Sequence, residues 1–261
     1  METLKDKIVC ITGASSGIGA ACATEFARSG CTLLLSARKI DRLEQFARAL
    51  RDQYKVNVHA SALDVRDQRA VDSYFSSLPS ELRAIDILVN NAGLSRGLNK
   101  LQEGDQADWN EMIDTNVKGL LFVSRAVLPG MIQRNSGHVI NIGSIAGHAV
   151  YPGGNVYCAS KWAVKALTEG MKMDLLGTAV RVTSIDPGLV ETEFSIVRFH
   201  GDKERASKVY ADMTPLKAED IAEIVVFCAT RPPHVNILET VVLPTAQASV
   251  SLVHRSPTTK M

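Results

Sequence analysis

Little in this chain points towards a charged partner, a membrane or a metal. Lys and Arg number 29 against 28 Asp and Glu, a formal net charge of +1, which gives no argument for nucleic acid or an anionic lipid surface. No apolar run reaches the ~18–20 residues needed to cross a bilayer, and the amino-terminal METLKDKIVC lacks the apolar core of a signal peptide. The five cysteines (Cys10, Cys22, Cys31, Cys158 and Cys228) are odd in number and spaced like no metal-ligand set, and the six histidines are scattered. No bound metal is therefore expected. Cys10 and Cys31 fall in strand-like runs or their entries, where cysteine serves as a small buried hydrophobe. A reducing compartment, taken as the cytoplasm, is expected. Internal repeats, linkers and low-complexity stretches are also missing.

What the chain does have is core. At 261 residues and 46% apolar composition, it suits one large α/β domain. Strand-like runs KIVCITG (7–13), CTLLLSAR (31–38), VNVHASALDV (56–65), IDILVNNAG (85–93), GHVINIGS (137–144), VRVTSIDPG (180–188) and ETVVLP (239–244) are separated by helical patterns. Helices are expected near 17–29, after an N-cap at Asp41, near 67–78, 108–134 and 156–176, and from about Asp220. Strands alternating with helices of this length make βαβ units and a parallel sheet. Ligands of such sheets bind beyond the carboxyl ends of the strands, and TGASSGIG, NNAG, GS and DPG all stand at such ends.

TGASSGIG lies between the first strand and the first helix. Gly13, Gly17 and Gly19 would let the backbone turn tightly and approach a pyrophosphate, which a helix N-terminus favours electrostatically. Sites for NAD usually place an acid near the end of the second strand, for the ribose 2′-hydroxyl. That place reads SARK, with Ala37 and Arg38 and no acid. A carboxylate would repel a 2′-phosphate, whereas a guanidinium can bind it through two parallel bonds. Ser15, Ser36 and Lys39 could add donors. NADP is expected over NAD.

In NVYCASKWA (155–163), Tyr157 and Lys161 stand four residues apart and so share one helix face. Alone, such a pair is common. A free phenol with a pKa near ~10 is a poor base at neutral pH, but an adjacent ammonium lowers that value and favours the phenolate. Tyr157 could then take or return a proton beside a reacting carbinol.

TGASSGIG, NNAG at 90–93, Asn116 in DTNVKG, Ser144 thirteen residues ahead of Tyr157, YCASK at 157–161 and DPG at 186–188 together resemble the short-chain dehydrogenase/reductase family across residues 7–245. The resemblance implies one Rossmann-type domain, an α/β doubly wound parallel sheet of about seven strands with helices on both faces. That domain would occupy residues 1–250, with a substrate lid at about 188–215. The tail 251–261 would follow it, the polar part from 254 onwards being expected to be disordered. The resemblance implies a catalytic set of Asn116, Ser144, Tyr157 and Lys161, with Asn116 helping to hold a water that links Lys161 to solvent. Cofactor contacts are implied for Gly13, Ser15, Ser16, Gly17, Ile18, Gly19, Arg38, Asp64, Val65, Asn91, Ala92, Gly93, Tyr157, Lys161, Pro187, Gly188, Val190 and Thr192. Asp64 has a second reading as the cap of the following helix.

Within that family, INIGSIAGHAVYPGGNVYCASK, DPGLVETEFSIVRFHGD and LPTAQAS are similar to the NADP-dependent 3-hydroxy acid dehydrogenases. This implies oxidation of serine, L-allo-threonine and 3-hydroxypropionate-type acids, reduction of malonic semialdehyde, and a homotetramer. Substrate contacts would come from Ser144, Tyr157 and a cation for the carboxylate, for which Arg198 is chosen over Arg96. Two rivals are a broad carbonyl reductase or 3-oxoacyl-thioester reductase of the same fold, and a non-catalytic NADP-binding regulatory protein. No catalytic residue is missing, which speaks against the last.

Overall fold

The computed structural model describes residues 3–256 of the chain. Its seven strands are β1 (Ile8–Thr12), β2 (Thr32–Ala37), β3 (Val58–Ala62), β4 (Ile87–Asn90), β5 (Gly137–Ile142), β6 (Val180–Pro187) and β7 (Glu239–Val242). They pair in parallel in the order β3-β2-β1-β4-β5-β6-β7. The order reverses between β1 and β4, which opens a crevice at the carboxyl ends there.

Strand side chains alternate between two cores. Val9, Ile11, Leu33 and Leu35 point to one layer, with Cys22 and Phe26 of α1 (Gly17–Arg28), Leu43 of α2 (Ile40–Tyr54) and Ile221 and Val225 of α9 (Ala218–Ala229). Cys10, Leu34, Leu88 and Val139 point to the other, with Val71 of α3 (Gln68–Ser77) and Val123, Val127 and Met131 of α5 (Leu120–Gln133). Covering both faces is what lets β1 and β2 read as continuous apolar runs. All five cysteines are buried and free, and burial pushes the Cys10 thiol up to about 12, as befits a packing residue.

Several boundaries differ from the sequence reading. Asp41 is not the N-cap of α2: the helix starts at Ile40 after Lys39, and Asp41 lies in its first turn, where its charge meets the positive helix end. Asp67 caps α3, accepting from the backbone N–H groups of Arg69 and Ala70. The single helix expected over 108–134 is divided into α4 (Gln106–Ile113), a π-helical stretch Asp114–Gly119, and α5. The wider turn brings Gly119 against Val65, 2.6 Å from where a Cβ would stand. α6 (Asn155–Asp174) carries Tyr157 and Lys161 as expected.

Beyond β6 come two short helices, α7 (Phe194–Arg198) and α8 (Lys203–Lys208). The chain after β7 returns as a strap to the segments that flank them. Gln247 accepts from Leu189 N through Oε1 at 2.8 Å. Arg255 donates to the carbonyls of Val209 and Ala211, and Ser256 N donates to Asp212 O at 3.0 Å. Residues 254–256, expected to be disordered, are thus tied down by backbone bonds; the remainder of the predicted tail, 257–261, lies outside the described residues.

Candidate active site

The phosphate loop turns at Gly13 (φ +65°) and Gly17 (φ +54°), in the left-handed region that side chains rarely adopt. A Cβ on Gly13 would stand 2.9 Å from Ala92 Cα, so the turn is also pressed against the end of β4. Asn91 fixes that contact, its Nδ2 donating to Thr12 O and Gly13 O at 2.9 and 3.0 Å. Ser16 precedes α1 without capping it through its side chain. The first-turn N–H groups therefore face the cleft as an anion cradle. Gly19 is the exception among the predicted loop residues. It does not line the cleft but sits behind it, where a Cβ would strike Asn91 Nδ2 and Gly13 O.

One cleft of about 450 Å³ runs from this loop along the switch point. At one end stand Ala37, Arg38, Lys39, Asp64 and Val65. The side chain of Arg38 is half exposed, 3.2 Å from Glu111. Ser36, offered above as a further donor, is buried away from the cleft. Asp64 lines the cleft but caps no helix, since Asp67 does. Arg66 grips its carboxylate at 2.6–3.0 Å and holds it below the usual carboxylate range.

The other end gathers Gly93, Ser144, Tyr157, Lys161, Pro187, Gly188, Val190 and Thr192. Tyr157 and Lys161 are both only 7% exposed. The Lys161 ammonium lies 5.9 Å from the Tyr157 ring centre and donates to Ile142 O at 2.8 Å. Burial pushes Lys161 down to about 8, against an upward pull from Asp186. Burial also raises the Tyr157 phenol, an effect opposed by Arg198 and by a hydrogen bond with Ser144. The phenol is therefore raised rather than lowered, contrary to the expectation from an adjacent ammonium: in this dry pocket desolvation outweighs Arg198 and the Ser144 bond.

Asn116 is not part of the cleft wall. Its Nδ2 donates to Leu94 O and Ser160 Oγ, at 2.8 and 2.9 Å, and its Oδ1 accepts from Leu94 N at 2.8 Å. These bonds pin the strand-end loop to α6 immediately behind Lys161. The bonds place Asn116 as a brace behind Lys161.

Arg198, chosen from sequence as the carboxylate partner, does line this end, whereas Arg96 does not. The Arg198 guanidinium carbon stands 5.3 Å over the Tyr157 ring centre and 5.0 Å over that of Phe194. One terminal nitrogen donates to Tyr151 Oη at 3.1 Å, and Nε is buried with no partner among the described residues. Arg96 is already engaged, with Glu111 and with Val197 O, both at 2.7 Å. It holds the end of α7, which presents Arg198.

A profile of the short chain dehydrogenase family matches residues 7–203. The chain belongs to the short-chain dehydrogenases. An NADP-dependent 3-hydroxy acid dehydrogenase of Salmonella typhi is 49% identical over 95% of this chain and all of its own length. A relative with the same activity in its name, from Schizosaccharomyces pombe, is 44% identical over 98% of this chain and 99% of its own. A sulfoacetaldehyde reductase of Chromohalobacter salexigens is 48% identical over 92% and 95%. Among solved structures, the closed form of a serine dehydrogenase complexed with NADP+ superposes with a TM-score of 0.90 at 46% identity, covering 95% of this chain and all of that one.

This short-chain dehydrogenase also has cleft residues that sequence reasoning did not name. Tyr151, Phe194 and Tyr210 form an aromatic wall around Arg198, and Gln247 and Val250 reach in from the strap. Arg42 and Glu193 join at 2.8 Å from opposite sides of the cleft. Tyr151, Glu193, Phe194 and Gln247 lie in stretches quoted above for the resemblance, but nothing in those stretches marks them as cleft residues; Arg42, Tyr210 and Val250 come from segments with no motif.

Proposed function

We propose that this enzyme transfers a hydride between NADP and small 3-hydroxy acids of the serine, L-allo-threonine and 3-hydroxypropionate type, with malonic semialdehyde as a substrate in reduction. The observation carrying this reading is Arg198: a partly buried guanidinium whose Nε–H is buried without a partner among the described residues, set over the phenol that would move the proton. A small hydroxy acid offers little besides its carboxylate and its reacting oxygen, and the site pairs a cation with a phenol at that spacing. The nucleophile-free set of Ser144, Tyr157 and Lys161 suits proton transfer alongside hydride loss, with Ser144 steadying the developing charge on oxygen. The oxidised cofactor, when bound, supplies the hydride acceptor. The phosphate loop, Asn91 to Gly93 and 187–192 would hold it, with Lys161 on the nicotinamide ribose. Asn116 acts as the brace of that lysine.

Initial rates against serine, allo-threonine, other 3-hydroxy acids and their uncharged alcohol counterparts, with both cofactors, test this reading. Acids should be preferred with NADP. A preference for thioesters or neutral ketones would transfer the function to the rival reductases, and no turnover of any would favour a binding protein.

Arg38 and the acid-free Ala37 support NADP selection through the 2′-phosphate. Replacing Ala37 with Asp and Arg38 with Ile together should turn the kcat/KM preference towards NAD. Retention of a strong NADP preference would place the 2′-phosphate on other groups, Lys39 and Arg42 being the nearest in the cleft.

Two exposed apolar groups, Leu121, Trp162 and Met173 on α5 and α6, and Phe227 and Val241 on α9 and β7, support a homotetramer built from two kinds of interface. No helix among the described residues is long and apolar enough to cross a membrane, and the free cysteines suit our assignment to the cytoplasm.

A further inference from the structure

The DPG turn places a carboxylate where the proposed chemistry has no direct use for it. Asp186, near the end of β6, is 2% exposed and lies so close to Gly143 that a Cβ there would collide with its carboxylate. Ser144 is the next residue. One Asp186 oxygen accepts from Ser184 Oγ at 2.6 Å and the other from His148 Nε2 at 2.8 Å. On its far side, His148 Nδ1 is 3.4 Å from Lys165 Nζ, which is 2.7 Å from Glu239 Oε1. Because an ammonium can only donate, Nδ1 must accept, and the ring proton stays on Nε2, aimed at Asp186.

We propose that His148 is a positioning residue for the hydride-transfer site: it holds the Asp186 carboxylate against the Gly143 turn, next to Ile142, whose carbonyl accepts from the Lys161 ammonium. The inference rests on the proposed role of Lys161 beside Tyr157. The groups facing Asp186 are Ser184 on its own strand, His148 after the Ser144 turn, Tyr157, Lys161 and Lys165 on α6, and Glu239 on β7. His148 in turn faces Asp186, Glu239 at 3.6 Å and Lys165, and Lys165 lies near Glu169. Burial works against ionisation of Asp186, while the bonds from Ser184 and His148 work for it. Asp186 in turn is the one partner that pulls the desolvated Lys161 back up. Removing the His148 donor would leave the Asp186 carboxylate free to turn away from Gly143, and Lys161, without that charge held beside it, would lose its proton at lower pH.

Lys165 and Glu239 form the solvent-facing end of this chain, and both are about a third exposed or less. The amine of Lys165 already neutralises the outer carboxylate, so the cluster of His148, Asp186 and Glu239 works as an internal charge array rather than as a cation site awaiting an ion.

The experiment is the pH profile of kcat/KM for hydroxy-acid oxidation in the parent, His148→Ala, His148→Gln, Asp186→Asn and the Ala/Asn double variant. The parent profile, with activity on any acid, tests the proposed function by itself. In His148→Ala and Asp186→Asn, the alkaline decline should move to lower pH by roughly half a unit or more, the size expected for losing a nearby opposite charge. His148→Gln, which keeps an N–H donor near the Nε2 position without a titrating ring, should restore the parent decline. The double variant should move no further than Asp186→Asn, since both changes act through one charge. A parent-like decline in His148→Ala, a shift in His148→Gln equal to that in His148→Ala, or additive shifts in the double variant would each overturn the proposal. The His148 site, about a quarter exposed at its side chain, is the safer arm should Asp186→Asn fold poorly.

Discussion

Tyr157→Phe should retain the fold and bind NADP with near-parental affinity, yet lose turnover by roughly 10²–10⁴-fold, the usual contribution of a general acid–base group. The ring itself packs with Leu94, Met112, Ala146 and Cys158, tilted against Phe194 at 5.6 Å. Phenylalanine preserves all of that and removes only the oxygen. Because burial raises the phenol, oxidation by the parent should speed up with rising pH until loss of the Lys161 proton ends the rise. The direction follows from the sign of the shift: the proton acceptor is the phenolate, and a raised pKa makes that form scarcer at neutral pH. The residual rate in Tyr157→Phe should lack this rise. Stopped-flow measurement of hydride transfer across pH would check both points, and transfer at the parent rate would remove Tyr157 from the mechanism.

Arg198→Met should lose kcat/KM for acids by about 10- to 150-fold, corresponding to about 1.5–3 kcal/mol for a charge-assisted hydrogen bond, while sparing uncharged alcohols. Methionine replaces most of the apolar contact with Phe194 and Tyr151 and removes only the charge and its donors. A hydroxy acid and its methyl ester should therefore be compared in parent and variant. An equal loss on both would indicate a disturbed α7, and no loss on the acid would assign the carboxylate to another group. A control is built in: the guanidinium also opposes the upward shift of Tyr157, so the variant's rise with pH should move to higher pH on both substrates.

How much of this was legible in the sequence depended on the range of the interaction. The succession of strands and helices along the chain could be read because each apolar run and each glycine-ended turn is set by local rules of alternation and backbone freedom. Gly13 and Gly17 announced their positive φ by residue type alone. Tyr157 and Lys161 share a face because helix geometry fixes it. The division of the 108–134 helix was invisible, because nothing in DTNVKG forbids a regular turn; the π stretch coincides with the anchoring of Asn116 on Leu94, 22 positions away. The engagement of Arg96 by Glu111 and Val197 was equally hidden, and it is what separates two arginines that look alike in sequence. The sign of the Tyr157 shift failed for a similar reason: burial is a property of the whole pocket, and a pairwise reading of phenol and ammonium misses it.

The strap that crosses the lid has a kinetic meaning. Arg255 and Ser256 fasten residues 209–212 through backbone carbonyls, and neither touches a group that handles hydride, proton or carboxylate. An opening of that side of the cleft would have to break those bonds, whichever acid had been turned over. On the function proposed above, substitutions at Arg255 or Ser256 should change the tempo of product release and leave the choice among acids, assigned there to Arg198, as it is.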